Sequence, residues 1–265
     1  MPQAATKTRK TKKAAEAVDL PPATGPKYEF TGEVKVEFGI TLRRIRALRQ
    51  IGLIAAGTLG GWIASETNLS QVSGDAWVSG DARVYGNARV SGDARVYGNA
   101  WVYGDARVSG DAWVSGDARV YGNAWVYGDA RVSGDAWVSG DAWVSGDARV
   151  YGNARVYGDA WVYGDAWVYG DARVYGDARV ARRLTTATCS DGYTFVLATD
   201  RAGHPVVIAD CRYFDFAAAR QHWQATRGGT PLGDETFAIL DMLERIASIR
   251  GPDAAPVEDA DRDAA

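Results

Sequence analysis

From Val72 to Val180 the chain repeats every six residues without insertion or deletion: Val, Ser or Tyr, Gly, Asp or Asn, Ala, Arg or Trp. One such hexad is too small to bury its own apolar face, so successive hexads must stack on one another in a solenoid. In a hexad such as Arg83 to Ala88, strand side chains alternate, so Val84 points inward while Arg83 and Tyr85 point outward. Gly and Asp or Asn tolerate the left-handed backbone region, which lets the chain corner after each short strand, and Ala fits inside the corner. Three sides close a coil of 18 residues, and the run supplies six coils. At about 4.8 Å per coil the prism is roughly 29 Å long.

An aliphatic residue followed four positions later by a small one, from Val72 with Ala76 to Val174 with Ala178, resembles the hexapeptide-repeat proteins that fold as left-handed parallel β-helices. The left hand is what that resemblance implies. The segments Leu42-Arg-Arg-Ile-Arg-Ala-Leu48, Leu59-Gly-Gly-Trp-Ile63 and Glu66-Thr-Asn-Leu-Ser70 are similar to the openings of a phage, prophage and bacterial group of such proteins. One member of that group is labelled an acetyltransferase. Segments like Asp210-Cys-Arg-Tyr-Phe214 and Gly233-Asp-Glu-Thr-Phe-Ala-Ile-Leu240 also recur after such repeats.

The expected organisation is an all-β solenoid over 72–180, preceded by a small hairpin cap and lead-in over 28–71 and followed by a small α+β cap over 181–250. A basic tail (1–27) and an acidic tail (251–265) are low in large apolar residues and are expected to be disordered. Alternation on both sides of Gly32 suggests a hairpin between Tyr28 and Phe38, and the basic segment Arg43 to Arg49 suits a strand or a helix. Ile63 and Leu69 already stand six apart, but Leu69 to Val78 is nine, a slip of three before the regular register. After Val180, two strands at Thr194–Leu197 and Val206–Ile208 are expected, with helices capped by Asp215 and Asp234. The second helix carries Phe237, Leu240, Leu243 and Ile246 on one face.

Residues 18 apart stack, so the outer columns follow from arithmetic. The first face carries Trp77, Arg95, Trp113, Arg131, Arg149 and Trp167. The second carries Arg83, Trp101, Arg119, Trp137, Arg155 and Arg173, beside Tyr85, Tyr103, Tyr121, Ser139, Tyr157 and Tyr175. The third carries Arg89, Arg107, Trp125, Trp143, Trp161 and Arg179. Alternating Trp and Arg suit a stiffening ladder of stacking and cation–π contacts. The unbroken row Trp125, Trp143, Trp161, flanked by Tyr127 and Tyr163, instead suits recognition through an exposed apolar strip, and it is the candidate binding site. A protein or carbohydrate partner, or a second copy, fits this wall. The resemblance implies a trimer, and the residues are equally compatible with a dimer.

Catalysis is the less favoured class. Hexapeptide acyltransferases use a histidine base beside acyl-CoA, whereas His204 and His222 both lie beyond the solenoid and no loop interrupts a hexad. No catalytic residue and no cofactor is assigned. The corner Asp and Asn residues are read as turn formers rather than metal ligands, because Asn interchanges with Asp. Nucleic acid is disfavoured: the solenoid's outward Arg are outnumbered by its corner Asp, which would meet every phosphate. Cys189 and Cys211 are expected as free thiols. With no apolar run of membrane-spanning length and no hydrophobic signal core, a cytoplasmic location is the expectation.

Overall fold

The computed structural model describes residues 25–72 and 74–251, so the basic and acidic tails lie outside the described residues except at 25–27 and Gly251. Three strands come first: β1 (Tyr28–Glu37), β2 (Ile40–Ala47) and β3 (Leu59–Ile63). Eighteen two-residue strands follow at six-residue intervals, from β4 (Trp77–Val78) to β21 (Arg179–Val180). The chain ends in β22 (Thr185–Thr188), β23 (Thr194–Thr199), β24 (Pro205–Ala209) and β25 (Arg212–Asp215), then α1 (Phe216–Arg227) and α2 (Pro231–Arg250).

The short strands pair in parallel with their counterparts 18 residues away, as Trp125 with Trp143 and Val126 with Val144, and so build three sheets around one axis. Each rung is held by backbone bonds to the next coil, such as Trp125 N–H to Ala142 O at 2.9 Å and Tyr127 N–H to Val144 O at 3.0 Å. Val and Ala of every hexad from Ala76 onward are buried, forming a continuous core. Each buried Val contributes about 1.5–3 kcal/mol before entropy is counted, and only a neighbouring coil keeps it dry. The corner glycines serve two needs at once. At Gly122, φ is +70° and an added Cβ would lie 3.0 Å from the backbone nitrogen of Gly140 on the next coil.

Each face has about seven rungs rather than six. Ile63 pairs with Val84 on the second face, Leu69 bridges to Val90 on the third, and Arg183 bridges to Trp167 on the first. Leu69 explains why Val72 is not core as its place in the repeat had suggested. The slot beneath Val90 is taken by the buried Leu69, and Val72, in the slipped connection, is 92 % exposed. Asn68 locks that arrangement: its buried side-chain amide donates to Gly86 O at 3.0 Å and Ala88 O at 2.8 Å.

The N-terminal hairpin turns at Phe38 and Gly39, both with positive φ, and not at Gly32. Gly32 lies within β1 where the register with β2 shifts, so the same glycine signal marks a bulge. The basic segment becomes β2, which pairs with β3, and β3 joins the second-face sheet through β5 (Arg83–Val84). Gly60 has no room for a side chain, since a Cβ would sit 2.5 Å from Ile45 and 2.8 Å from the Trp77 indole. Lys27, inside the stretch expected as tail, is fully buried and donates from Nζ to Gly74 O at 3.2 Å.

At the other end the expected strands form as β23 and β24 in an antiparallel meander that extends the third-face sheet through Arg179 and Thr199. The meander is apolar on both sides. Val196, Ala198, Val206 and Ile208 close the solenoid core, while Phe195, Leu197, Val207 and Ala209 pack with Trp223, Leu240 and Leu243 of the helices. Asp215 caps α1, accepting from Ala218 N–H at 2.6 Å. The second helix starts before Asp234: Thr230 is its N-cap, accepting from Gly233 N–H at 3.0 Å, with Pro231 in the first turn. Asp234 falls in that turn, where its charge favours the helix N-terminus. Cys189 and Cys211 are free, the first buried and the second exposed.

Candidate functional site

The columns derived from the repeat stand as rows of stacked side chains. On the second face, Arg83, Trp101, Arg119, Trp137 and Arg155 alternate, with guanidinium carbons 4.9 to 5.3 Å from the ring centroids. On the first, Trp113 lies between Arg95 at 5.6 Å and Arg131 at 5.0 Å. Tyr85, Tyr103 and Tyr121 stack in parallel at 5.0 and 4.9 Å, and Tyr157 stacks on Tyr175 at 5.0 Å. Burial pushes the phenols of Tyr85, Tyr103, Tyr157 and Tyr175 upward, Tyr85 to about 12. The two end members of the second-face arginine series fasten the caps. Arg83 pairs with Glu37 of the hairpin, and Arg173 pairs with Asp210 in the turn between β24 and β25.

The row Trp125, Trp143, Trp161 differs in one respect: tryptophan meets tryptophan. The indoles of Trp125 and Trp143 stack at 5.5 Å and 11°, and those of Trp143 and Trp161 at 4.6 Å and 4°. Arg107 closes one end at 4.6 Å from Trp125 and Arg179 the other at 4.1 Å from Trp161. Trp143 thus has an indole on each face where most other solenoid tryptophans have arginine. Tyr127 meets Trp143 edge-on at 6.3 Å and 81°. Tyr163 is two coils from Tyr127 in the adjoining column, with Ser145 between them, so the two tyrosines flank a step in the wall.

The three indoles are half-buried rather than freely exposed, because stacking takes the ring faces and leaves the edges to solvent. What the row offers outward is a strip of parallel indole edges, closed at each end by a cation. Such a strip can stack or edge-pack against a flat apolar or sugar surface.

From Asp81 onward the corner Asp and Asn residues lie in turns, as expected, and the Asn side chains also bond from coil to coil. Asn87, Asn99, Asn123 and Asn153 each donate their side-chain N–H to the Asp carboxylate one coil on, at 2.9 to 3.0 Å. The Asn positions therefore bridge coils. Among the described residues no group of three or more His, Cys, Asp or Glu side chains is placed to hold a metal ion.

His204 Nδ1 lies 3.1 Å from Asp200 Oδ2 on the exposed β23–β24 turn. His222 packs within the cap, its ring 5.1 Å from Phe214 and 4.6 Å from Trp223, with Nε2 buried and lacking a hydrogen-bond partner. Burial, with Arg212 and Arg227 nearby, lowers its pKa. Sequence reasoning placed the row but missed the cations of the C-terminal end, Arg182, Arg183 and Arg250. The break Ala181-Arg-Arg-Leu184 was the available signal for the first two.

The family model described as YdcK Beta solenoid repeat matches residues 82–98, 88–104, 94–110, 100–116, 112–128, 124–140, 130–146, 148–164 and 166–182. The chain is similar to that family over these repeats, and the description speaks of the solenoid alone. A search of curated proteins finds no match. Among the described residues no helix is long and apolar enough to cross a membrane.

Proposed function

We propose that this β-solenoid repeat protein is a non-catalytic binding scaffold of a phage or bacterium, whose docking strip is the row Trp125, Trp143, Trp161 with Tyr127 and Tyr163. Its partner is a protein, a carbohydrate or a second copy of the chain. The observation that carries the reading is Trp143. A ladder built only for stiffness is served by Trp set next to Arg, as on the other two faces where no Trp adjoins another, whereas three adjacent indoles gather aromatic edge in one place. The test replaces all three tryptophans by Arg, a residue the same column already holds at Arg89, Arg107 and Arg179. Light scattering and glycan-array binding are then compared with wild type. The reading expects wild type to self-associate or bind glycans and the triple variant, still folded, to lose that property. A monomeric wild type without ligands, or an unchanged variant, overturns it.

A second reading, acyl transfer from acyl-CoA, is favoured by the His204–Asp200 pair alone, which has the form of a base and its orienting carboxylate. Calorimetry with acetyl-CoA on wild type, His204→Ala and His222→Ala decides it. Binding or turnover lost on either substitution replaces the scaffold reading.

A further inference from the structure

The last coil, the meander and the C-terminal part of α2 enclose a cleft of about 350 Å³. That volume lies at the lower end of the roughly 300–1,000 Å³ typical of small-molecule sites. Its walls are apolar, formed by Val180 and Leu184 of the coil end, Leu197 and Pro205 of the meander, and Phe216 and Ala247 of the helices. Arg179, Arg182, Arg183 and Arg250 also line it, against a single acidic residue, Glu244, among the described residues. The Glu244 carboxylate is taken from outside the cleft by Arg220 at 2.6 Å.

Two of these cations, Arg179 and Arg183, are positioned by stacking on indoles rather than by carboxylates among the described residues. Arg179 lies over Trp161 at 4.1 Å and Arg183 over Trp167 at 4.0 Å, and neither forms an ion pair among the described residues. The Nε of Arg179 is buried with no hydrogen-bond partner. Other polar groups nearby are satisfied within the protein. The Thr199 hydroxyl donates to Arg179 O at 3.2 Å, and that of Ser248 to Arg245 O at 2.7 Å. The negative end of α2 is covered, since Arg182 donates to Arg250 O at 3.2 Å and Gly251 N–H to Ala247 O at 3.1 Å.

We infer that this cleft is a binding site for a small amphipathic anion, a carboxylate or phosphate monoester head on an apolar body. Guanidinium groups pair such heads in bidentate fashion, and the walls take the body out of water. A neutral apolar ligand leaves Arg179 and Arg183 without an anionic partner, and a small hydrophilic anion leaves the walls wet. The inference does not rest on the docking-strip reading: none of Trp125, Trp143 and Trp161 lines the cleft, and Arg179, which closes the strip over Trp161, is the residue the two share.

Calorimetry on the full chain with octanoate, octyl phosphate and octanol tests it. At least one of the two anions is expected to bind one to one, roughly tenfold or more tighter than octanol. Whichever anion binds identifies the head group. Arg183→Glu and Arg250→Glu are expected to weaken that anion by about tenfold each and leave octanol unchanged. Ala247→Trp, which fills the cleft, is expected to abolish all binding. If that variant fails to fold by circular dichroism, Arg250→Glu decides alone, since Arg250 is exposed at the helix end. The inference is overturned if neither anion binds wild type, if octanol binds equally well, or if the charge reversals leave affinity unchanged.

Discussion

Truncating Val126 to Ala removes two carbons from a side chain that is fully buried between Val108 and Val144. Transfer of two such groups is worth about 1.6 kcal/mol, at ~0.8 kcal/mol each. A residual void of roughly 30 Å³ adds about 0.7 kcal/mol, because the coils above and below are held by backbone bonds and close in only partly. The expected loss is therefore about 2 kcal/mol. Val72→Ala is the matched control: it is the same substitution in the same position of the hexad, at a side chain 92 % exposed. There the expected change is within about 0.5 kcal/mol. Urea unfolding followed by circular dichroism and by tryptophan fluorescence measures both. Agreement between the two probes checks that unfolding is cooperative, since a solenoid is free to come apart locally. A loss at Val72 equal to that at Val126 would refute the placement of Leu69 beneath Val90.

Two further expectations concern charge. Asn123→Asp turns the 2.9 Å bond to Asp141 into two opposed carboxylates, an expected loss of about 0.5–1 kcal/mol at low salt. That loss shrinks in 1 M salt, and a salt-independent effect would show that repulsion is not its cause. Burial, aided by Arg49 and partly opposed by Asp75 and Asp93, lowers the Lys27 pKa from 10.5 to about 8. Between those values the unfolded chain binds a proton that the folded chain lacks, so stability rises with pH. Above about 10 the tyrosines reverse the slope, since Tyr28, Tyr85, Tyr175 and Tyr213 are held protonated only in the fold. In Lys27→Met the rise should vanish and the fall persist, which unfolding midpoints from pH 7 to 11 would show. A rise that survives the substitution would assign it to another group.

The repeat made the solenoid legible because Val and Ala six-residue spacing admits few other ways to be buried. It failed at its edge for a physical reason: Leu69 and Val72 compete for one slot, and a slip of three residues favours the leucine, which pattern matching cannot weigh. Gly32 and Gly39 carry the same signal, and only pairing with β2 distinguishes a bulge from a turn. Pro231 after Thr230 was a readable helix start that Asp234 obscured. For the candidate site, the columns gave the neighbours of each tryptophan correctly. They did not give exposure, because half-burial depends on how the rings lie against one another. The Asn-to-Asp bridges were within reach of the same arithmetic, since each joins residues 18 apart.

Both caps are woven into particular sheets: the hairpin extends the second face through β3, and the meander extends the third through β23. The first face receives neither. The solenoid is therefore a keyed shaft between two fittings. Adding or deleting one hexad would turn one fitting by a third of a revolution and present β23 with the wrong face, while adding three would lengthen the shaft and leave both in register. Repeat number in such a chain is free to drift only in whole coils.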